Sequence, residues 1–253
     1  MNINLFKTVF ILLLLLAPLG CHKNTRSPKP IKVAIGLSQP PYIIAEEKRG
    51  IEYDIVKESL QNVGYELVPV FVKYAEVPNQ LLEKRVDGAM TLKTNSVANS
   101  DTSDVYIVYH NYAITKKISN LKVNSIDDLD GMSVSAFQNA EFILGSDFEN
   151  MTKNNPKYYE IAQQYQQNVE LYKGMADVVI SDKNIFKWYK SDPRVLAFGD
   201  LDNKVEYHNI FPPTNYRMAF VNSKYRDDFN KGLKQLKSSG RYQEIIDSYH
   251  IED

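Results

Sequence analysis

Four histidines and one cysteine are all that this 253-residue chain offers for metal or thiol chemistry, and they are scattered. No His and Cys set has metal-ligand spacing and no elbow motif presents a nucleophilic serine, so neither a metal, a cofactor nor a catalytic residue is expected. Two strand-to-helix junctions are better suited to holding a ligand than to transforming one. Phe137, Gln138, Asn139 and Ala140 follow a strand ending at Ala136. Free backbone N–H groups at the helix start there suit an anionic or carbonyl oxygen, while Asn139 equally serves as a plain N-cap. Asp182 closes a second strand ahead of a helix beginning at Lys183. It either caps that helix or accepts a hydrogen bond from a ligand at the strand end, where open α/β sheets place their sites. Glu141 reads as a charge complementing a helix N-terminus.

Cys21 has a different setting. Lys7 precedes an apolar run over residues 9–19, then Gly20, Cys21 and a polar stretch to Pro30. This is the three-part layout of a secretory leader. The run is 11 residues long, against roughly 20 for a helix crossing a ~30 Å hydrocarbon core, and Pro18 opposes a membrane helix. As the lone cysteine, Cys21 cannot form an internal disulfide. Ser27, Pro28 and Pro30 then read as part of a solvated tether.

The elements that must position the junctions follow from periodicity. Ile31, Val33 and Ile35 alternate with Lys32, Ala34 and Gly36 as in a strand, and a turn follows at Gln39, Pro40 and Pro41. Ile51, Ile55, Val56, Leu60 and Val63 recur at helical spacing, with Gly64 as a stop. A strand over residues 67–72, a helix over 77–84 and a strand over 86–92 complete a βαβαβ unit, with Pro69 unfavourable to an interior strand position. The pattern restarts with strand character at 112–115, a turn at 125–131 and a strand at 132–136. A helix over 141–150, a strand near 157–161, a helix to Lys173 and a strand over 176–181 follow. Residues 225–249 read as helix broken at Gly240. Two α/β units in series imply two lobes around parallel-rich sheets. With 43% hydrophobic residues and a formal net charge of −1, the chain can bury a core and has no bulk attraction for nucleic acid. Loss of residues 1–20 would remove only Lys7 among charged residues.

Residues from Ile31 to Tyr249 resemble the bacterial extracellular solute-binding proteins of the amino-acid type, family 3. The resemblance is carried by Gln39-Pro40-Pro41-Tyr42, then Gly50, Asp54 and Ile55, then Val86-Asp87-Gly88 before Met90-Thr91. It continues through residues 125–131, Leu171, Gly174 and residues 177–182, and closes on Leu233, Leu236, Ser239-Gly240, Tyr242 and Ile246. It implies a type II periplasmic-binding fold of two lobes with a hinged cleft between them. Residues 31–108 and 214–253 would form the first lobe and 109–213 the second, with crossings near 106–111 and 208–216. The segment before the tether resembles a lipoprotein signal, so residues 1–20 would be cleaved and an acylated Cys21 would hold a linker of residues 21–30 to a membrane. Pro18 departs from that pattern, which usually has Leu three residues before the cysteine.

The resemblance also implies ligand contacts from both lobes. In the first lobe they fall on Tyr42 and Tyr74, whose rings would sandwich the ligand, and on Thr91 as a hydrogen-bond donor. In the second they fall on Gln138 and Asn139, where the family commonly has Gly with Thr or Ser, and on Asp182 as acceptor for a ligand ammonium. Ser96 stands where amino-acid binders carry an arginine that grips the carboxylate in two parallel bonds, which serine cannot reproduce. Lys93 either substitutes as a point charge or is simply solvated. Retention of Asp182 without the arginine suggests an amine or modified amino acid. The implied role is capture of a small polar solute outside the cytoplasm, by a monomer, for the permease of an ABC transporter. Alternatives are a subunit feeding a membrane sensor, an enzyme descended from the same fold, or a module whose cleft no longer binds.

Overall fold

Residues 27–94, 96–198 and 204–251 are described by a computed structural model, so the leader and Cys21 lie outside the described residues. The first unit runs β1 (Lys29–Gly36), α1 (Ile51–Gln61), β2 (Tyr65–Val72), α2 (Val77–Leu82), β3 (Gly88–Leu92) and β4 (Asp101–Tyr109). The second runs β5 (Asn111–Lys116), β6 (Val134–Phe137), α3 (Ala140–Ile143), α4 (Ser146–Asn154), β7 (Tyr158–Ile161) and α5 (Tyr165–Lys173). It continues through β8 (Val178–Asp182), α6 (Lys183–Lys190), α7 (Pro193–Leu196) and β9 (Val205–His208). The chain then returns through β10 (Thr214–Phe220), α8 (Ser223–Ser238) and α9 (Arg241–Asp247).

These strands form two mixed five-stranded sheets, ordered β2-β1-β3-β10-β4 and β7-β6-β8-β5-β9. Each sheet and its helices make one lobe, and the backbone passes between lobes at His110 and again between His208 and Thr214. Strand β1 begins at Lys29, so Lys29 and Pro30 pair with Tyr65 and Glu66 instead of lying in the tether. Pro69 is tolerated because β2 is an edge strand, where a missing N–H need not break the ladder. Strands β4 and β10 are longer than their sequence signal, because β10 pairs antiparallel with both β3 and β4 and tertiary pairing supplies what local alternation lacks.

Alternation sorts the core into layers. Ile31, Val33 and Ile35 face α1, α8 and α9 in one cluster, while Ala34 faces Val77 and Leu81 of α2 on the other side. In the second lobe Val178 and Ile180 pack with Phe148 and Met151, whereas Val179 packs with Leu171 and Phe186. Each fully buried aliphatic or aromatic side chain contributes roughly 1.5–3 kcal/mol. Helix α8 closes on α1 at Gly232, where a Cβ would lie 1.9 Å from the Ser59 carbonyl oxygen. The helix expected over 141–150 is split into α3 and α4 at Gly145, whose φ of 101° breaks the turn. Among the described residues no helix is long and apolar enough to cross a membrane.

Candidate functional site

The turn after β1 positions two side chains. The Gln39 N–H donates to the Ile43 carbonyl at 2.7 Å, and the Tyr42 carbonyl accepts the N–H groups of Glu52 and Tyr53 at 3.0 and 3.3 Å. Backbone thereby satisfies two of the orphan donors at the start of α1, where no side chain caps the helix. Gly50 permits this approach. Its φ is 137°, and a Cβ there would lie 2.2 Å from the Tyr42 carbonyl oxygen, a position only glycine can occupy.

Glu52 is fully buried. Its Oε1 accepts the hydroxyls of Thr91, at 2.6 Å, and of Tyr106, and its Oε2 accepts the Tyr109 hydroxyl at 2.7 Å. Burial pushes the carboxyl above its ordinary range, and the three hydroxyls oppose that rise. Thr91 has a left-handed φ of 61°, strain of roughly 1–3 kcal/mol. Its N–H donates to the Tyr106 hydroxyl and its carbonyl accepts from the Tyr74 hydroxyl, both at 2.9 Å. Together with the bond to Glu52, at about 1 kcal/mol each, these offset the strain.

A buried seam joins the lobes. Tyr42, 3% exposed, stacks on Tyr109 with ring centroids 3.9 Å apart, an arrangement worth about 0.5–1.5 kcal/mol beyond burial. Its hydroxyl donates to Asp182 Oδ1 at 3.0 Å and accepts from Asn184 Nδ2 at 3.1 Å. Asp182 Oδ1 also accepts the Asn184 and Ile185 N–H groups as N-cap of α6, and Oδ2 accepts the His110 N–H at 2.8 Å. Ile185, from the second lobe, packs into the first lobe's core. Desolvation raises the Asp182 carboxyl to about 6 against the pull of these donors. Lys93 Nζ makes a second bridge, donating to the Ile143 carbonyl at 2.5 Å. Partial burial lowers the pKa of that ammonium.

A cavity of about 320 Å³ opens between the lobes. Leu37, Ser38, Gln39, Tyr74 and Tyr216 line it from the first lobe, and Phe137, Gln138, Asn139, Ile143 and Gln164 from the second. Tyr74 is pinned by its hydroxyl, and a Cβ on Gly36 behind it would lie 3.1 Å from the ring. The residue as a whole stays 37% exposed and forms part of the cavity wall.

Of the residues singled out from sequence, Tyr74, Gln138 and Asn139 line this cavity. Tyr42 does not form a sandwich with Tyr74, because its ring is taken by Tyr109. Thr91 and Asp182 are spent on the buried networks, and Lys93 bridges to Ile143. Ser96 is exposed and its hydroxyl closes a turn on the Lys93 carbonyl at 2.8 Å. Glu52, Tyr109, Asn184, Tyr216, Glu160 and Gln164 were missed. Glu52 had a signal: it shares the apolar face of α1 with Ile55, Val56 and Leu60, and a carboxylate on such a face needs partners.

A family model for bacterial extracellular solute-binding proteins, family 3, matches residues 31–252. The chain belongs to this family. Solved structures with the same fold include a mutant of ArgBP from T. maritima, 20% identical, covering 88% of this chain and 96% of that one with a TM-score of 0.68. The GluR0 ligand-binding core from Nostoc punctiforme in complex with (L)-glutamate is also 20% identical, covering 88% and 100% at 0.68. The arginine-, lysine-, histidine-binding protein ArtJ from Geobacillus stearothermophilus is 19% identical, covering 89% and 96% at 0.67. At these identities the likeness carries the fold alone. A comparison with curated proteins finds no match.

In this family 3 solute-binding protein the start of α3 is already filled. Glu160 from β7 accepts the Asn139 N–H at 2.6 Å on Oε2, and the Glu141 N–H at 3.1 Å and Tyr158 hydroxyl at 2.7 Å on Oε1. The Asn139 φ of 65° aims these amides. A carboxylate of the protein itself stands where an incoming anion would otherwise be held.

Proposed function

We propose that this protein captures a small polar organic solute, of the kind represented by amino acids, amines and related compounds, and delivers it to the permease of an ABC transporter. The observation that carries this reading is the cavity walled by both lobes, which among the described residues are joined by two backbone passages and by contacts that include Tyr42–Asp182, Asn184–Tyr42 and Lys93–Ile143. A ligand touching both walls binds the closed state better than the open one, and that difference in affinity drives closure. No turnover is assigned, since the oxygens of Glu52 and Asp182 are engaged by protein donors. Cleavage before Cys21 and acylation of that residue would keep the protein outside the cytoplasm on a membrane surface. A role in sensing is the second reading, favoured because the same fold serves as the ligand-binding core of GluR0.

A thermal-shift screen of the full-length protein in detergent micelles against amino acids, amines, small acids and neutral polar rings tests the reading. A ligand at a hundredfold excess over its Kd stabilises by about 2.7 kcal/mol, or roughly 5–10 °C in Tm for a chain of this size. Silence across the whole screen would sink it.

A further inference from the structure

We propose that the cavity selects an uncharged, ring-bearing solute with N–H or O–H donors, and discriminates against solutes carrying a free carboxylate. This rests on the solute-capture reading and narrows it, for the same cavity, to neutral relatives of amino acids and amines.

Charge is the first ground. A free carboxylate needs a fixed cation or unengaged amides, and each candidate is spent or absent. Position 96 is a serine turned to the Lys93 carbonyl, and Lys93 is tied to Ile143. The amides of Asn139 and Glu141 are taken by Glu160 and are not open to a second carboxylate. Among the described residues of the lining the formally charged one is Lys73, which is solvent-exposed, where an ion pair contributes under about 1 kcal/mol. A cation fares no better, because among the described residues no carboxylate is in the lining, Glu160 behind it is engaged by three donors, and Asp182, 2% exposed, already accepts four hydrogen bonds.

Shape and polarity are the second ground. The lining includes three residues with rings, Tyr74, Phe137 and Tyr216, and four with carboxamides, Gln39, Gln138, Asn139 and Gln164. Rings favour stacking on a flat or ring-shaped body, and carboxamides pair with neutral donors and acceptors without demanding charge. Gln164 Oε1 is buried and has no hydrogen-bond partner among the described residues. That oxygen is sealed from solvent as it stands, so a ligand N–H or O–H would reach it, and remove the roughly 1–3 kcal/mol cost of an unpaired buried acceptor, once the carboxamide turns toward the cavity.

The test is calorimetric titration of the full-length protein with two probe sets. Nicotinamide, cytosine, adenosine and N-acetylglucosamine are neutral rings; nicotinate, arginine, glutamine and glutamate carry a free carboxylate. At least one neutral probe should bind tenfold or more tighter than every carboxylate probe. Gln164→Ala should weaken that probe tenfold or more with Tm within about 2 °C of wild type, and Glu160→Ala, by freeing the Asn139 and Glu141 amides, should narrow the gap between neutral and carboxylate probes. A carboxylate probe binding as tightly as any neutral one overturns the inference while leaving solute capture standing. An unchanged neutral-probe affinity in Gln164→Ala, or an unchanged gap in Glu160→Ala, also overturns it. Silence toward both sets counts against the inference and against solute capture together.

Discussion

Tyr42 of the first lobe and Asp182 of the second, 140 residues apart in sequence, share a buried hydrogen bond of 3.0 Å. The acceptor oxygen is also the N-cap of α6, so one atom both starts a helix and ties the lobes together. Movement of one lobe against the other must break or carry this contact, which makes the seam the natural place to perturb closure.

Tyr42→Phe removes the hydroxyl and keeps the ring stacked on Tyr109. A hydrogen bond to a charged group contributes about 1.5–3 kcal/mol, so the variant should be destabilised by about that much and its lobes should separate more readily. Small-angle scattering should show a larger radius of gyration for the ligand-free variant. An unchanged radius together with unchanged stability would show that the bond does not restrain the lobes.

Asp182 makes stability depend on pH in the less usual direction for a carboxylate. Its carboxyl is raised from 3.8 to about 6, so between those values the folded chain keeps a proton that the unfolded chain has released. The contribution is fully present below pH 3.8 and is lost as pH rises through 6. Between pH 4.5 and 7.5 wild type should lose on the order of 2 kcal/mol more than Asp182→Asn, at about 1.36 kcal/mol per pH unit. Urea unfolding at the two pH values measures this, and parallel behaviour of the two proteins refutes it.

Gly50→Ala and Gly131→Ala separate close approach from backbone strain. Both glycines have positive φ, but a Cβ at Gly50 meets the Tyr42 carbonyl at 2.2 Å whereas one at Gly131 meets nothing within 4 Å. The alanine at 131 should cost about 1–2 kcal/mol, and the one at 50 at least about 3 kcal/mol, since the α1 start must move. Equal losses in thermal unfolding would mean that the turn yields without strain.

Glu52→Gln keeps one carbonyl oxygen for Thr91 and Tyr106 and turns an amide toward Tyr109, whose hydroxyl can accept in exchange. Glu52→Ala leaves three buried hydroxyls without their acceptor. The glutamine variant should lose about 1–2 kcal/mol and the alanine variant more than about 3 kcal/mol. If both lose the same amount in denaturant unfolding, the carboxyl serves only as filler.

Local physics was legible before any coordinates. Alternation along β1, helical spacing along α1, and the stops at Gly64 and Gly240 depend on neighbours a few residues away; for Asp182 local order offered both a cap on α6 and a ligand acceptor and did not decide between them. Chain order alone also separated two α/β units. The partners of the buried polar groups were not legible, because those partners are distant in sequence: Glu52 needs Tyr109, Asp182 needs Tyr42, and Asn139 needs Glu160. The ring of Tyr42 looked available for a ligand until the β4 crossing brought Tyr109 against it. Which polar atoms are spent inside the protein and which remain open to a solute is a property of packing between lobes, and periodicity within one lobe carries no information about it.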